Sequence, residues 1–174
     1  RNLALEDALS KLTEVARTDP LTGLWNRRAF DELGEAALAE ARRRGHRGTV
    51  IMADIDQFKP LNDRFGHDFG DEVLRQVAAH FRDELGQMGV LCRWGGEEFL
   101  CLLPDLAPPE AATLLDRIRN RLARNPIAHP EGKIGVTLTY GLAPCEGELR
   151  AAIDAADRAM YAGKQLGRDR VQVA

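Results

Sequence analysis

One apolar run constrains the fold of this chain more than any other feature, and it ends in a carboxylate. Residues 48–55 read Gly-Thr-Val-Ile-Met-Ala-Asp-Ile, which predicts a strand that is buried on both faces. A β-hairpin is predicted further on, where Gly95-Gly96 separates the apolar runs 90–94 and 97–103, because glycine pairs between short apolar runs mark such turns. A central buried strand with a hairpin beside it requires helices to cover the sheet.

Helical periodicity supplies those covering elements. Apolar residues recur at helical spacing over five segments, 1–17, 28–44, 70–85, 108–124 and 149–164. Further strands are predicted at 135–143 and 170–174. Strands and helices in this mixed order, with at least one hairpin, predict an α+β domain with a central, mostly antiparallel sheet flanked by helices. A doubly wound parallel sheet is not expected.

Length and composition fit one domain, residues 18–174, preceded by a linker or signalling helix over residues 1–17. The chain has 174 residues and a formal net charge of −3, so overall charge gives no reason to expect a nucleic-acid partner. Its three cysteines include no CxxC pair, which indicates reduced thiols and a cytoplasmic location. Because the chain begins at Arg1, we expect an N-terminal sensor or membrane domain to be missing from it.

The helix over residues 1–17 carries a thin apolar seam. Leu5, Ala8, Leu12 and Val15 follow the 3-4-3 spacing of a coiled coil. Two heptads leave two interpretations open, a coiled coil between two copies of the chain or a helix packed on its own domain.

The carboxylate of Asp54 is the first candidate functional group. A buried carboxylate needs a cation, a hydrogen-bonding partner or exposure at the strand end. If the 48–55 strand pairs beside the hairpin, Asp54 and Glu97 meet at one edge of the sheet and form a pair suited to magnesium. An aspartate at a strand end is more often a helix cap or a surface group, and Asp56 fits the role of N-cap to a turn starting at Gln57.

A series of small and polar residues follows this strand and has two interpretations. In the first, its backbone amides are available to phosphate and Lys59 adds a positive charge. In the second, it is a polar loop that only caps the 70–85 helix. Asn62 and Asp71 form a candidate pair for reading guanine, because a carboxylate accepts from both N1–H and the exocyclic amine, a donor pair that adenine lacks. His67 is equally compatible with a purely structural role.

Four motifs in order resemble those of the GGDEF family of diguanylate cyclases. They are the opening segment Asp19–Arg28 (DPLTGLWNRR), the segment Asp54–Asp71 (DIDQFKPLNDRFGHDFGD), the hairpin segment Arg93–Phe99 (RWGGEEF) and the closing segment Ala156–Arg168 (ADRAMYAGKQLGR). Glutamate occupies the variable third position of the hairpin motif, and Trp94 replaces the more usual tyrosine. The resemblance covers residues 19–172 and implies a sheet flanked by helices, related to the palm of nucleotidyl cyclases.

The resemblance also implies a role for each matching residue. By similarity, Asp54, Glu97 and the carbonyl of Ile55 bind a divalent cation, Mg²⁺ or Mn²⁺. Glu97 is also implied as the catalytic base and Lys59 as the group that stabilises charge in the transition state. The implied substrate-binding residues are Phe58, Asn62, His67, Asp71, Gly95, Gly96, Lys164 and Arg168. Among them Asn62 and Asp71 hold guanine, Lys164 and Arg168 contact the triphosphate together with Lys59, and the glycines let the backbone lie against the nucleotide.

The implied reaction condenses two GTP molecules into cyclic di-GMP and two pyrophosphates. One domain holds one GTP, so a homodimer is expected to bring two sites face to face. Two alternatives remain, a degenerate GTP-binding signalling module and a purely structural dimerisation module built on residues 1–17. Many family members carry an RxxD site that binds the product and inhibits the enzyme. Here Gly86 and Gly89 stand at its two positions, so this inhibition is not expected.

Overall fold

The computed structural model describes residues 2–174, apart from the side chains of residues 13–15. Within this range the helices are α1 (Asn2–Val15), α2 (Arg27–Arg43), α3 (Phe58–Phe65), α4 (His67–Leu85), α5 (Pro108–Arg124) and α6 (Leu149–Gln165). The strands are β1 (Thr49–Ile55), β2 (Val90–Arg93), β3 (Glu98–Leu103), β4 (Ile127–His129), β5 (Gly132–Ile134), β6 (Leu138–Pro144) and β7 (Val171–Val173).

The main sheet has five strands in the order β2-β3-β1-β6-β7. All neighbours pair antiparallel except β6 and β7, which run parallel. The predicted α+β class with a mostly antiparallel sheet is confirmed. The apolar β1 lies inside the sheet, between β3 and β6, which explains why all of its residues are buried.

Alternate residues of β1 face two separate apolar clusters, as strand geometry requires. Ile51, Ala53 and Ile55 point into the larger cluster, which includes side chains of α4 and α5. Val50 and Met52 point into the second cluster, beneath α2 and α6. By the same alternation Asp54 lies on the α6 side of the sheet.

Helix α6 approaches the sheet closely because β6 has a glycine at the contact. A Cβ atom on Gly141 would lie 1.9 Å from the carbonyl oxygen of Ala156 and 2.5 Å from the backbone nitrogen of Met160. Any side chain at residue 141 would therefore push α6 away from the sheet. This close packing fixes the distance between α6 and the sheet, and so the position of the last turn of α6 relative to the end of β1.

Two features differ from the sequence predictions. The predicted polar loop after β1 is wrong, because residues 58–65 form the helix α3. Pro60 is compatible with a helix there, since it lies in the first turn, where its missing N–H is not needed. The small antiparallel pair of β4 and β5 was not predicted at all.

Helix α1 is largely exposed over most of its length, although Leu9 and Leu12 line a shallow cavity with Ala29 and Glu32 of α2. Residues 2–12 are all exposed, and Leu5 and Leu12 expose 61% and 66% of their surface. Val15, the fourth residue of the predicted seam, lies outside the residues whose side chains are described. The exposure favours the coiled-coil interpretation of the seam over packing on the chain's own domain.

Candidate active site

Three carboxylates meet where β1 ends beside the hairpin. Asp54 on β1 lies directly opposite Glu98 on β3, and the Ile55 N–H donates to the Glu97 carbonyl at 3.2 Å. Asp54 is buried, whereas Glu97 and Glu98 are partly exposed. The structure thus brings Asp54 and Glu97 to the same end of the sheet, as the strand pattern predicted.

The charges of these carboxylates are poorly compensated. Burial raises the pKa of Asp54, against the hydrogen bond that Lys164 Nζ donates to Asp54 Oδ1 at 2.5 Å. Burial also raises the pKa of Glu97 and of Glu98, and the neighbouring negative charge of Asp54 raises both further. One ammonium therefore faces three carboxyl groups, and the ionised forms of all three are disfavoured.

This donor set fits a hard divalent cation. Carboxylate and carbonyl oxygens are the ligands that Mg²⁺ prefers, and Mg²⁺ in nucleotide sites takes only one or two carboxylates beside substrate phosphates. Asp54, Glu97 and the Ile55 carbonyl meet that description. No cluster of three or more His, Cys, Asp or Glu side chains arranged to hold a metal occurs among the described residues. A site of this kind would be completed by the substrate.

Asn62 and Asp71 come from two consecutive helices that meet at Gly66. Asn62 lies on α3 and Asp71 on α4. The Oδ1 atom of Asn62 is buried without a hydrogen-bond partner. A Cβ atom on Gly70 would lie only 1.7 Å from that oxygen. An unpartnered buried acceptor costs roughly 1–3 kcal/mol, so a ligand that donates an N–H group here would relieve it.

The remaining predicted site residues of these helices differ in exposure. Phe58 is buried at the start of α3 and belongs to the core. Lys59 is exposed beside it, and His67 is exposed in the first turn of α4. The segment predicted to bind nucleotide is therefore a helix pair that displays polar side chains on an apolar base, not a loop that offers backbone amides.

An aromatic cluster that the sequence did not reveal braces this helix pair. The His129 ring on β4 contacts the rings of Phe65 and Phe69 edge-on, at centroid distances of 4.9 Å and 5.0 Å. The two phenylalanine rings are 5.4 Å apart. The β4–β5 hairpin thus packs its histidine against both helices. Its three-residue strands are too short to give a sequence signal.

The glycine turn of the β2–β3 hairpin is stabilised by the side chain of Arg93, which belongs to the same hairpin. The Gly96 carbonyl accepts hydrogen bonds from Arg93 Nε at 3.2 Å and Nη2 at 2.8 Å. Arg93 Nη1 also bonds Asp19 at 3.1 Å, which ties the opening motif to this turn. A Cβ atom on Gly96 would have no atom within 4 Å, so the space beside the turn is open. Trp94 packs edge-on against Phe30, in line with the packing role expected for it.

Lys164 and Arg168 lie at the end of α6. Lys164 is in the last turn of the helix and is engaged by Asp54, while Arg168 follows the helix and is exposed. The predicted role of Asp56 as an N-cap is wrong. Gln57 occupies the cap position of α3, and the Asp56 carboxylate instead accepts hydrogen bonds from Thr137, Thr139 and the Asp169 N–H.

The family is decided by a comparison with family models. The model described as "Diguanylate cyclase, GGDEF domain" matches residues 16–170. The chain belongs to this family. The GGDEF domain found here is similar to "Diguanylate cyclase DgcP" of Pseudomonas aeruginosa, which is 40% identical over 98% of this chain and 26% of its own length.

A second relative and a solved structure also resemble this chain. "Response regulator PleD" of Caulobacter vibrioides is 37% identical over 96% of this chain and 38% of its own length. The GGDEF domain therefore spans about a quarter to two fifths of these curated relatives. A crystal structure of the coiled coil and GGDEF domain of DgcB from Caulobacter crescentus, in complex with c-di-GMP, superposes with a TM-score of 0.90. It is 34% identical over 98% of this chain and 92% of that one.

Within residues 2–174, no helix of the GGDEF domain has the length and apolar character needed to span a membrane.

Proposed function

We propose that this chain is a catalytic domain that condenses two GTP molecules into cyclic di-GMP and two pyrophosphates. The observation that carries the proposal is that Glu97 lies beside the end of β1, close enough for its carboxyl group to feel the charges of Asp54 and Lys164. Membership of the GGDEF family and relatives named as diguanylate cyclases support it.

The cation site is assigned to Asp54, Glu97 and the Ile55 carbonyl. These groups would hold Mg²⁺ or Mn²⁺, which when bound lowers the pKa of the ribose hydroxyl and neutralises phosphate charge. The raised pKa values of both carboxyl groups support this assignment, because a nearby cation stabilises the ionised forms that burial disfavours.

The reaction is attack of a ribose 3′-oxygen on the α-phosphorus of a second GTP. Glu97 would accept the hydroxyl proton, a new P–O bond forms, and the bond to pyrophosphate breaks. Lys59, Lys164 and Arg168 would bind the triphosphate oxygens, with Lys59 also stabilising charge in the transition state. Most of the acceleration comes from holding the two reactants in line.

Guanine is assigned to Asn62 and Asp71, with Phe58 and His67 in the same segment, and Gly95 and Gly96 of the hairpin turn are assigned to the nucleotide as well. The unpartnered Asn62 Oδ1 supports a base that donates hydrogen bonds. Asp71 would accept from the two donors of guanine, whereas adenine would present it with an acceptor. GTP is therefore expected to bind at least tenfold better than ATP, and Asp71→Ala to reduce that preference.

Each of the two phosphodiester bonds needs a 3′-hydroxyl from a GTP held by another domain, so we infer that catalysis takes place in a homodimer. The exposed leucines of α1 supply an apolar stripe through which two chains can pair. The described cysteines Cys92, Cys101 and Cys145 are buried free thiols, which supports action in the reducing cytoplasm. An N-terminal sensor or membrane domain would supply the input signal.

The test is to incubate the purified chain with GTP and MgCl₂, or MnCl₂, and to separate the products by chromatography. Cyclic di-GMP and two equivalents of pyrophosphate are expected. Binding of GTP without any cyclic product with either metal, in protein shown to be dimeric, would contradict the proposal and favour a signalling module that only binds GTP.

A further inference from the structure

The turn after α6 has a backbone that requires support. Arg168 and Asp169 both have positive φ angles, 62° and 43°, although neither is glycine. Such left-handed conformations are disfavoured for residues with a Cβ atom and persist only where the surroundings hold them. A turn built from glycine or asparagine would adopt them more easily.

Asp56 holds this turn from the end of β1. Its Oδ2 atom accepts the Asp169 N–H at 3.0 Å and the Thr137 hydroxyl at 2.7 Å, and its Oδ1 atom accepts the Thr139 hydroxyl at 2.6 Å. The side chain is buried, with 8% of its residue surface exposed. All three donors converge on one buried carboxylate, so the position of the turn relative to β1 is fixed.

Arg119 on α5 holds the same turn from the other side. Its Nη2 atom donates to the Asp169 carbonyl at 2.9 Å and to Asp169 Oδ1 at 3.3 Å. The Arg168 N–H donates to the Gly163 carbonyl at 3.1 Å, so the turn folds back onto the last turn of α6, where Lys164 lies. Asp56 and Arg119, both distant in sequence, thus hold Asp169, while this local hydrogen bond keeps the backbone of Arg168 at the end of α6, four residues after Lys164.

We propose that Asp56 and Arg119 are positioning residues that hold the 168–169 turn so that Arg168 and Lys164 engage the same triphosphate. This inference rests on the proposed function. A turn needed only to connect α6 to β7 has no use for two non-glycine left-handed residues. A role for the Arg168 side chain in binding phosphate would explain why the Asp56 carboxylate and the Arg119 guanidinium both stabilise this turn.

The experiment measures nucleotide binding without turnover. Two ligands are titrated into the dimeric protein in Mg²⁺ buffer. Binding of the α,β-methylene analogue of GTP is measured by calorimetry, and binding of GMP is measured by its competition with that analogue. Arg119→Ala is expected to weaken binding of the triphosphate analogue by roughly fivefold to tenfold and to leave GMP binding unchanged, because only the outer phosphates lose Arg168. Arg119→Lys is expected to restore part of the loss.

A double-mutant cycle separates positioning from general damage. Arg168→Ala should cause at least as large a loss as Arg119→Ala, and the Arg119→Ala/Arg168→Ala double variant should lose no more than Arg168→Ala alone. Arg117→Ala is the matched control, because Arg117 is exposed on the same helix and has no hydrogen bond or ion pair with the turn. It should bind like the unmodified protein.

Thermal unfolding verifies each variant, and Arg119→Gln is the second variant if Arg119→Ala does not fold. Unchanged analogue binding in folded Arg119 variants, equal losses for GMP and the analogue, or additive losses in the cycle would each overturn the positioning role while leaving the proposed function intact. If the unmodified protein binds neither nucleotide, the proposed function itself fails, and that result is obtained before any variant is made.

Discussion

At the scale of single residues, the carboxylates at the end of β1 are arranged at the expense of stability. Asp54, Glu97 and Glu98 share one ammonium group, and burial raises the pKa of each. A buried charge without adequate compensation destabilises the folded protein. Carboxylates whose pKa values are raised in this way are typical of functional sites, where a bound ligand compensates their charge.

Replacing these carboxylates should separate activity from stability. Asp54→Asn and Glu97→Gln are each expected to lower turnover at least a hundredfold, because each removes a ligand charge and leaves the backbone unchanged. Circular dichroism should show an unaltered fold. Glu35→Gln, at an exposed glutamate of α2, is the matched control and should keep full activity. Substantial turnover in either site variant would exclude the assigned cation ligands.

The pH dependence of stability follows from the same shifts. Because the pKa of Glu97 is raised in the folded protein, the folded state binds that proton more tightly than the unfolded state does. The free energy of unfolding should therefore fall as pH rises through the carboxyl range in the absence of divalent cations. Glu97→Gln should lose this part of the slope and unfold at a higher temperature at pH 7. A lower melting temperature for this variant would contradict the direction of the shift.

Gly70 offers a second test at this scale. A Cβ atom there would overlap Asn62 Oδ1, so Gly70→Ala should displace the Asn62 side chain although alanine favours the helix. The expected result is a KM for GTP raised about tenfold or more with a smaller change in kcat. Gly147→Ala, where an added Cβ has no atom within 4 Å, should leave KM unchanged. Equal KM values for the two variants would show that Asn62 does not bind the base.

The sequence predicts residues whose signal is local. The proximity of Asp54 and Glu97 was predicted because one carboxylate interrupts an apolar strand and the other follows a glycine turn. Asp56 was assigned wrongly because its neighbours in sequence suggest a cap, whereas its true partners lie 81 to 113 residues away. Arg119 was missed for the same reason, since an arginine on a polar helix face carries no signal until the fold brings Asp169 to it.

At the scale of elements, α4 and α5 pack side by side with a titratable group between them. His80 on α4 has a buried Nδ1 atom without a hydrogen-bond partner. Burial lowers its pKa, the positive charge of Arg121 on α5 lowers it further, and the charges of Asp83 and Glu84 oppose the shift. This helix pair therefore favours a neutral imidazole.

Acidic pH should lower the free energy of unfolding through His80. Since the folded pKa of His80 lies below the unfolded value of about 6.5, the unfolded state takes up the proton first and stability falls as pH drops below that value. His80→Leu should flatten this part of the profile in urea unfolding experiments between pH 5 and 7. His67→Gln, at the exposed start of the same helix, should retain it. An unchanged slope in His80→Leu would contradict the burial effect.

The junction between α4 and β2 predicts the response to product. Neither Gly86 nor Gly89 has a side chain to bind cyclic di-GMP, and the nearby Arg82 donates to the Thr22 carbonyl while Asp83 pairs with Arg121. Initial rates should therefore change less than twofold when micromolar cyclic di-GMP is added. Strong non-competitive inhibition would show that another surface binds the product.

Elements with many periodic residues were predicted well, and short ones were not. The spans of α2, α5 and α6 agree within about one residue with their apolar spacing. The helix α3 was missed because glycine, proline and asparagine in residues 57–66 favour loops, and the packing of Leu61 and Phe65 on the core overrides that preference. Such tertiary stabilisation cannot be seen in a local pattern.

At the scale of the whole molecule, α1 exposes most of its surface, including four leucines, to solvent. Its exposed leucines would be unfavourable in an isolated chain and become useful when two chains pair. The proposed reaction needs two facing sites, so the same helix that pairs the chains would also raise the effective concentration of one site near the other.

Replacing the exposed leucines of α1 should therefore lower activity only by weakening dimer formation. Leu5→Gln/Leu12→Gln is expected to shift sedimentation towards monomer and to lower specific activity mainly at low protein concentration, with activity recovering as concentration rises. Lys11→Gln, exposed on the same helix, is the control and should behave like the unmodified chain. Specific activity that is independent of concentration in a monomeric variant would count against the two-site reaction.

The bond between Lys164 and Asp54 has a consequence for how the site fills. The lysine acts as an internal counterion, so arrival of a divalent cation and a triphosphate is an exchange of partners. Asp54 would pass from ammonium to metal while Lys164 passes from carboxylate to phosphate, and neither charge needs to stand alone in a dry site. In such an exchange, binding of the metal and binding of the nucleotide would each favour the other, because each would release a group that the other would engage.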